Sequence, residues 1–170
     1  MIILKINDRS EASFYMEHRA YRDALGQFAT GITIVTTEYH KEILGVTVNA
    51  FMSISLDPKM IAVSMDEGAS LYHTFQETKK FGVSILSENQ KEIAMLYAKQ
   101  IKKEKDVRFT YQDNIPVLED AMATFSCHVN NMVKAGDHMI LIADVTDFNI
   151  RKREDPIIYY GGDYRTIKPH

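Results

Sequence analysis

The sequence has almost no cysteine. Cys127 stands alone among 170 residues, so no disulfide can close within one chain and no zinc or iron–sulfur site can be built on several thiolates. A reducing compartment, the cytoplasm, is the expectation. Proline is nearly as scarce, with four scattered residues. Nothing resembles an interdomain linker, and a single domain over 1–170 is expected, with 1–12 as an N-terminal extension. No apolar run approaches the ~20 residues of a membrane span. The apolar Met1-Ile2-Ile3-Leu4 is too short for a secretory signal, and Asn7, Asp8 and Arg9 soon follow. An excess of positive charge is missing too. The formal net charge is -3, which gives no reason to expect a nucleic-acid partner. The lysines at 99, 102, 103 and 105 are interrupted by Glu104 and Asp106 and read as a solvated loop. Gly-x-Gly-x-x-Gly, Walker, Gly-x-Ser-x-Gly and His-Glu-x-x-His patterns are all absent. No histidine has a partner at metal-ligand spacing, so no metal is assigned.

What is there is mostly strand. Phe14, His18, Tyr21, Leu25 and Phe28 recur at helical steps and predict a helix ending near Gly26 or Gly31. The β-branched run in Gly31–Thr37 predicts a strand. A polar turn at Tyr39–Glu42 leads to a hairpin partner, Ile43–Phe51. Asp57-Pro58 breaks the chain before a strand at Lys59–Met65. Gly68–Thr78 suits a short helix, and Phe81–Leu86 another strand. Ser87 and Gln90 have capping-box spacing and start a helix that runs to about Gln100. Lys102–Asn114 reads as a loop. From Ala121 to Asn130, Ala121, Ala123, Phe125, Cys127 and Val129 alternate with polar residues, the clearest strand pattern in the chain. A turn at Lys134–Asp137 precedes a returning strand, His138–Val145, and Pro156–Tyr159 is a last short one. About seven strands with hairpin-length connections, and two or three helices, argue for a mainly β or α+β domain. The specific expectation is an antiparallel barrel with flanking helices.

Three segments carry candidate chemistry. Thr47, Asn49, Ser53 and Ser55 share one parity, so an unbroken strand would put four small polar side chains on one face. That face suits either solvent or the pocket wall of a polar cofactor. In Thr30–Thr37, Gly31 would let backbone approach a ligand, although threonine is also at home in any strand. Gly136-Asp137-His138 is either a plain hairpin turn with a surface histidine or a histidine held at a site mouth, with the aspartate ordering the turn. Cys127 falls on the apolar face of its strand and reads as a small core residue.

In order and spacing these segments resemble the flavin reductase family, and within it the reductase components of two-component aromatic monooxygenases of the 4-hydroxyphenylacetate type. The likeness runs from about Tyr21 to Tyr164. It rests on Phe28, Thr30-Gly31 and Val35-Thr36-Thr37; on Gly45-Val46-Thr47-Val48-Asn49-Ala50 ending in Ser53-x-Ser55 before Asp57-Pro58; on Gly136-Asp137-His138; and on Tyr160, Gly162 and Tyr164. The resemblance implies an antiparallel split β-barrel that forms a homodimer, with FMN or FAD near the subunit interface. It implies hydride transfer from NADH or NADPH to flavin, with reduced flavin passing to a separate monooxygenase component. A flavin-binding electron carrier of the same fold, without NAD(P)H activity, is the alternative.

By the same resemblance, Thr30, Thr36 and Thr37 lie along the flavin ring. Thr47, Val48, Asn49 and Ala50 meet its pyrimidine edge and ribityl chain. Ser53 and Ser55 approach the phosphate, with Ser70 in the phosphate-side segment. Phe81, Tyr160 and Tyr164 complete the cofactor-binding set, and His138 faces the nicotinamide as the catalytic candidate. Two departures stand out. Leu71 follows Ser70 where the family often has a second hydroxyl, and Ser84 stands where asparagine is usual.

Overall fold

A computed structural model describes residues 8–69, 71–102, 106–151 and 154–167. The helices are α1 (Asp8–Leu25), α2 (Tyr72–Thr78) and α3 (Lys91–Tyr97). The strands are β1 (Thr30–Gly31), β2 (Thr33–Tyr39), β3 (Glu42–Val48), β4 (Phe51–Leu56), β5 (Lys59–Asp66), β6 (Lys80–Ile85), β7 (Phe109–Gln112), β8 (Ile115–Leu118), β9 (Ala123–Ala135), β10 (His138–Ile150), β11 (Ile158–Tyr160) and β12 (Asp163–Arg165). Seven of these form one antiparallel sheet in the order β3-β2-β6-β9-β10-β5-β4.

That order dictates closure. β3 and β4 are the two outer edges of the sheet, yet only Asn49 and Ala50 separate them in sequence. Two residues of extended chain reach about 7 Å. The sheet must therefore curl until its edges nearly meet, and β3 comes beside β5. Curling hides the interior-facing side chains from water, which is the main stabilising term of the fold. Val35, Val63, Val83, Phe81 and Cys127 are completely buried in that interior. α2 closes it with Phe75, whose ring meets Phe81 edge-on at 6.3 Å. The result is the split β-barrel.

A second core lies outside the sheet. Ile34, Leu86, Ala94, Leu118 and Ile157 pack there, beneath α3 and the short strands. Thr36, Ser84, Thr124 and Ser126 share this outer face through the registers Thr36↔Gly82↔Ser126 and Ser84↔Thr124. All four are buried, and the β7–β8 hairpin covers them. Thr36 Oγ1 donates to the Pro116 carbonyl. Ser84 Oγ accepts from Leu118 N–H at 3.0 Å. Thr124 donates to Gln112 Oε1, and Ser126 to the Gln112 carbonyl, each at 2.7 Å. Buried hydroxyls need such partners, and the hairpin supplies them through its backbone and the Gln112 side chain.

Several expectations need correcting. The strand expected over Ile43–Phe51 breaks at Asn49-Ala50, where the chain leaves one sheet edge for the other. Part of the loop expected over Lys102–Asn114 is β7, turned back by Asp113 and Asn114 at φ 50° and 58°. α1 begins at Asp8, earlier than expected, and its stripe is not buried: every described side chain from Ser13 to Leu25 is exposed.

Candidate functional site

The two chains leaving the β2–β3 pair beyond Thr33↔Val48 emerge together. One is Thr30-Gly31-Ile32, the other Asn49-Ala50. Ala50 then joins β5, accepting from Ser64 N–H at 3.0 Å. On the far flank of β5, Ser64 pairs with Ile140 and Asp66 with His138. Strand spacings put His138 about 12 Å from Ala50, across two strand gaps and two residues along. One end of the barrel therefore gathers Thr30, Gly31, Asn49, Ala50 and His138.

The polar groups at that end are uncommitted. Thr30 Oγ1 is buried with no hydrogen-bond partner among the described residues. A buried hydroxyl in that state costs about 1–3 kcal/mol until something bonds to it. The side chains of Asn49, Ser53 and Ser55 likewise make no hydrogen bond among the described residues. Asn49, Ala50 and Ser53 stand exposed. Gly31 has open space where a Cβ would be, so a flat ligand can lie against its backbone. Ser53 and Ser55 continue along β4, away from His138, opposite Ile61 and Met60 respectively. A bulge between them puts the two on opposite faces, so the single parity expected from Thr47 to Ser55 does not survive.

His138 is half-exposed at the start of β10. Its Nδ1 lies 2.7 Å from Asp137 Oδ1. That bond holds the Asp137 carboxyl below the usual carboxylate range; its own backbone N–H, the His138 charge and His18 add to the effect, and slight desolvation opposes it. In the sequence Asp137 reads as the residue that orders the turn and as the middle of the Gly136-Asp137-His138 match. The signal for more was the direct adjacency of an acid and an imidazole.

Other expected residues face elsewhere. Thr47 lies on the outer face and donates to the Ala94 carbonyl of α3 at 2.6 Å. Beside it, Gly45 sits so close under the Tyr97 ring that a Cβ would come within 2.8 Å. Thr36 is fixed to the hairpin. Thr37 is buried and donates to the Lys80 carbonyl at 2.8 Å. Val48 and Phe81 are core residues. Tyr160 stays near the site through β11, since Thr30 pairs with Tyr159; its hydroxyl donates to Gln27 Oε1 at 3.1 Å. Tyr164 turns towards α3, bonding Gln100 at 3.1 Å, with Lys91 Nζ 5.5 Å from its ring centre. Ser70 lies outside the described residues. Burial pushes the Cys127 thiol up to about 12, so it stays protonated and unreactive at neutral pH. A cavity of about 670 Å³ runs under α3 between Ile93, Leu96, Val107 and Leu118, and none of the expected site residues lines it.

Residues 25–168 match the model of the flavin reductase like domain. The chain belongs to this family. It is 35% identical over 150 residues to an NADH-dependent flavin reductase of Rhodococcus sp, covering 86% of this chain and 85% of that one. It is 28% identical to the reductase component of 4-hydroxyphenylacetate 3-monooxygenase of Thermus thermophilus, covering 87% of this chain and 95% of that one. Among solved structures, flavin reductase PheA2 in its native state superposes with a TM-score of 0.86 at 44% identity, over 89% of this chain and 98% of that one. The flavin reductase pattern thus accounts for the order of the segments. The geometry adds which side chains at those positions are free to meet a ligand.

Proposed function

We propose that this chain is an NADH-dependent flavin reductase that takes FMN or FAD into the end of the barrel marked by Thr30 and Asn49. The observation that carries this reading is the gathering of unpartnered polar groups around the Asn49-Ala50 crossing, above all the buried Thr30 hydroxyl. Their chemistry fits a flavin. The Asn49 amide offers a donor and an acceptor to a pyrimidine edge, Gly31 gives a flat ring access to backbone, and the Ser53 hydroxyl suits a ribityl chain or phosphate. Ser55, and Ser70 beyond the described residues, are further candidates for the phosphate. Tyr160 is placed to close the Thr30 side.

Bound flavin supplies the hydride acceptor and the nicotinamide supplies the donor. The protein's part is to orient the two and keep water out. His138 holds the nicotinamide side. No strong general base is required, in keeping with a site of amide, hydroxyl and imidazole groups. The reduced flavin serves a separate monooxygenase component, as the name of the Thermus relative suggests. A homodimer is supported by the exposed apolar residues of α1 and β4. A cytoplasmic location is supported by the single buried cysteine; no helix among the described residues is long and apolar enough to cross a membrane.

The test is anaerobic addition of NADH to the protein with excess FMN. Bleaching of many flavin equivalents per protein supports the reductase. Flavin bound but never reduced by NADH would make the chain an electron carrier instead. Within the reductase reading, His138→Ala should raise the KM for NADH roughly tenfold while FMN affinity is unchanged. An unchanged KM removes His138 from the nicotinamide side.

A further inference from the structure

The β9–β10 turn is fixed from three directions. Gly136 adopts φ +64°, a conformation open to glycine at little cost. The Asp137 carbonyl accepts from Glu67 N–H at 2.9 Å, tying the turn to the end of β5. Lys134 pairs with Glu67 at 2.9 Å, so that carboxylate is already compensated and does not compete for the imidazole. The Asp137 side chain, 88% exposed, then meets Nδ1 of His138, 42% exposed, at 2.7 Å.

An ionised carboxylate only accepts hydrogen bonds. The nitrogen it meets must carry the proton. We infer that Asp137 is a positioning residue that holds His138 as the Nδ1–H tautomer, leaving Nε2 unprotonated as a hydrogen-bond acceptor for the primary amide of the nicotinamide. This rests on the reading of His138 at the nicotinamide side. A carboxamide has N–H groups to give to such an acceptor, whereas an acetyl group in its place has none. The tautomer therefore sets which substituent on the pyridine ring the site prefers.

The first measurement needs no cofactor. Nitrogen-15 chemical shifts of the His138 ring should show Nδ1 protonated and Nε2 bare in the wild type. Asp137→Ala should move the ring to the Nε2–H form. Asp137→Asn keeps a carbonyl oxygen at the same place and should retain the wild-type tautomer. Because both groups are partly solvated, the linked kinetic effect is moderate. Asp137→Ala should raise the KM for NADH about threefold to tenfold with little change in kcat, and Asp137→Asn should restore most of it. The wild type should discriminate against reduced 3-acetylpyridine adenine dinucleotide, and Asp137→Ala should lose most of that discrimination, since Nε2–H can donate to the acetyl oxygen. An Nε2–H ring in the wild type overturns the assignment of Asp137. A wild-type Nδ1–H ring with no preference between the two dinucleotides leaves the pairing intact but removes its part in nicotinamide recognition. Loss of NADH oxidation under every condition strikes the reductase reading instead.

Discussion

At the scale of single residues, what a side chain can meet depends on what covers it. Thr36, Thr47 and Phe81 match family positions, but parity alone does not say which face of a curled sheet is open. Two covers decide it, the β7–β8 hairpin over Thr36 and α3 over Thr47, and neither contact is local in sequence. Thr30 is the reverse case. It is one threonine among several in the sequence, and only the structure shows its hydroxyl buried and unpaired. That state makes a two-way prediction for Thr30→Val. The unliganded protein should gain up to about 1 kcal/mol, because an unmet hydroxyl is replaced by an apolar group of the same shape. Flavin should bind roughly fivefold more weakly, for want of the hydrogen bond it would have accepted or given. Thermal unfolding without flavin and an FMN titration read the two effects. If neither moves, the hydroxyl has no part in the site.

At the scale of elements, the long strands were legible because their side-chain periods are strong. The residues of β2, β6 and β9 alternate or run β-branched as buried strands should. The β7–β8 hairpin was not. β7 and β8 are four residues each, and the turn between them uses Asp113 and Asn114 in left-handed conformations, a signal that a polar stretch hides well. The hairpin nevertheless fixes a face of the barrel, and Gly82 shows how closely it sits. A Cβ at Gly82 would fall 2.3 Å from the Pro116 carbonyl oxygen and 2.7 Å from Val117 Cγ1. Backbone cannot yield as a flexible side chain would. Gly82→Ala should therefore cost about 3 kcal/mol, the upper part of the overpacking range, seen as a lower urea midpoint. The Asn49 and His138 end of the barrel is built from other strands, so folded molecules should keep their flavin affinity. A neutral Gly82→Ala would mean the hairpin is loosely held.

At the scale of the whole molecule, one chain leaves too much apolar surface in water. Phe14, Tyr15, Met16, Tyr21 and Leu25 of α1 are all more than half exposed, and on β4 Met52, Ile54 and Leu56 stand exposed, Leu56 at 90%. Ser53 sits among them on the same strand, and β4 is a free sheet edge. An apolar edge of this kind marks an interaction surface, and a second copy of the chain is the partner proposed above. If that copy covers β4, it also covers the flavin's approach to Ser53, and the two equilibria become linked. Flavin must then favour the dimer by the same factor by which dimerisation favours flavin. Diluting the protein through its monomer–dimer transition, followed by sedimentation, should weaken apparent FMN affinity, and added FMN should shift the transition to lower protein concentration. Leu56→Glu, which puts a charge on that edge without touching a hydrogen-bonding group of the site, should give a folded monomer with FMN affinity reduced at least tenfold. A monomeric Leu56→Glu protein that binds FMN as tightly as the wild type would show that each chain holds its flavin alone.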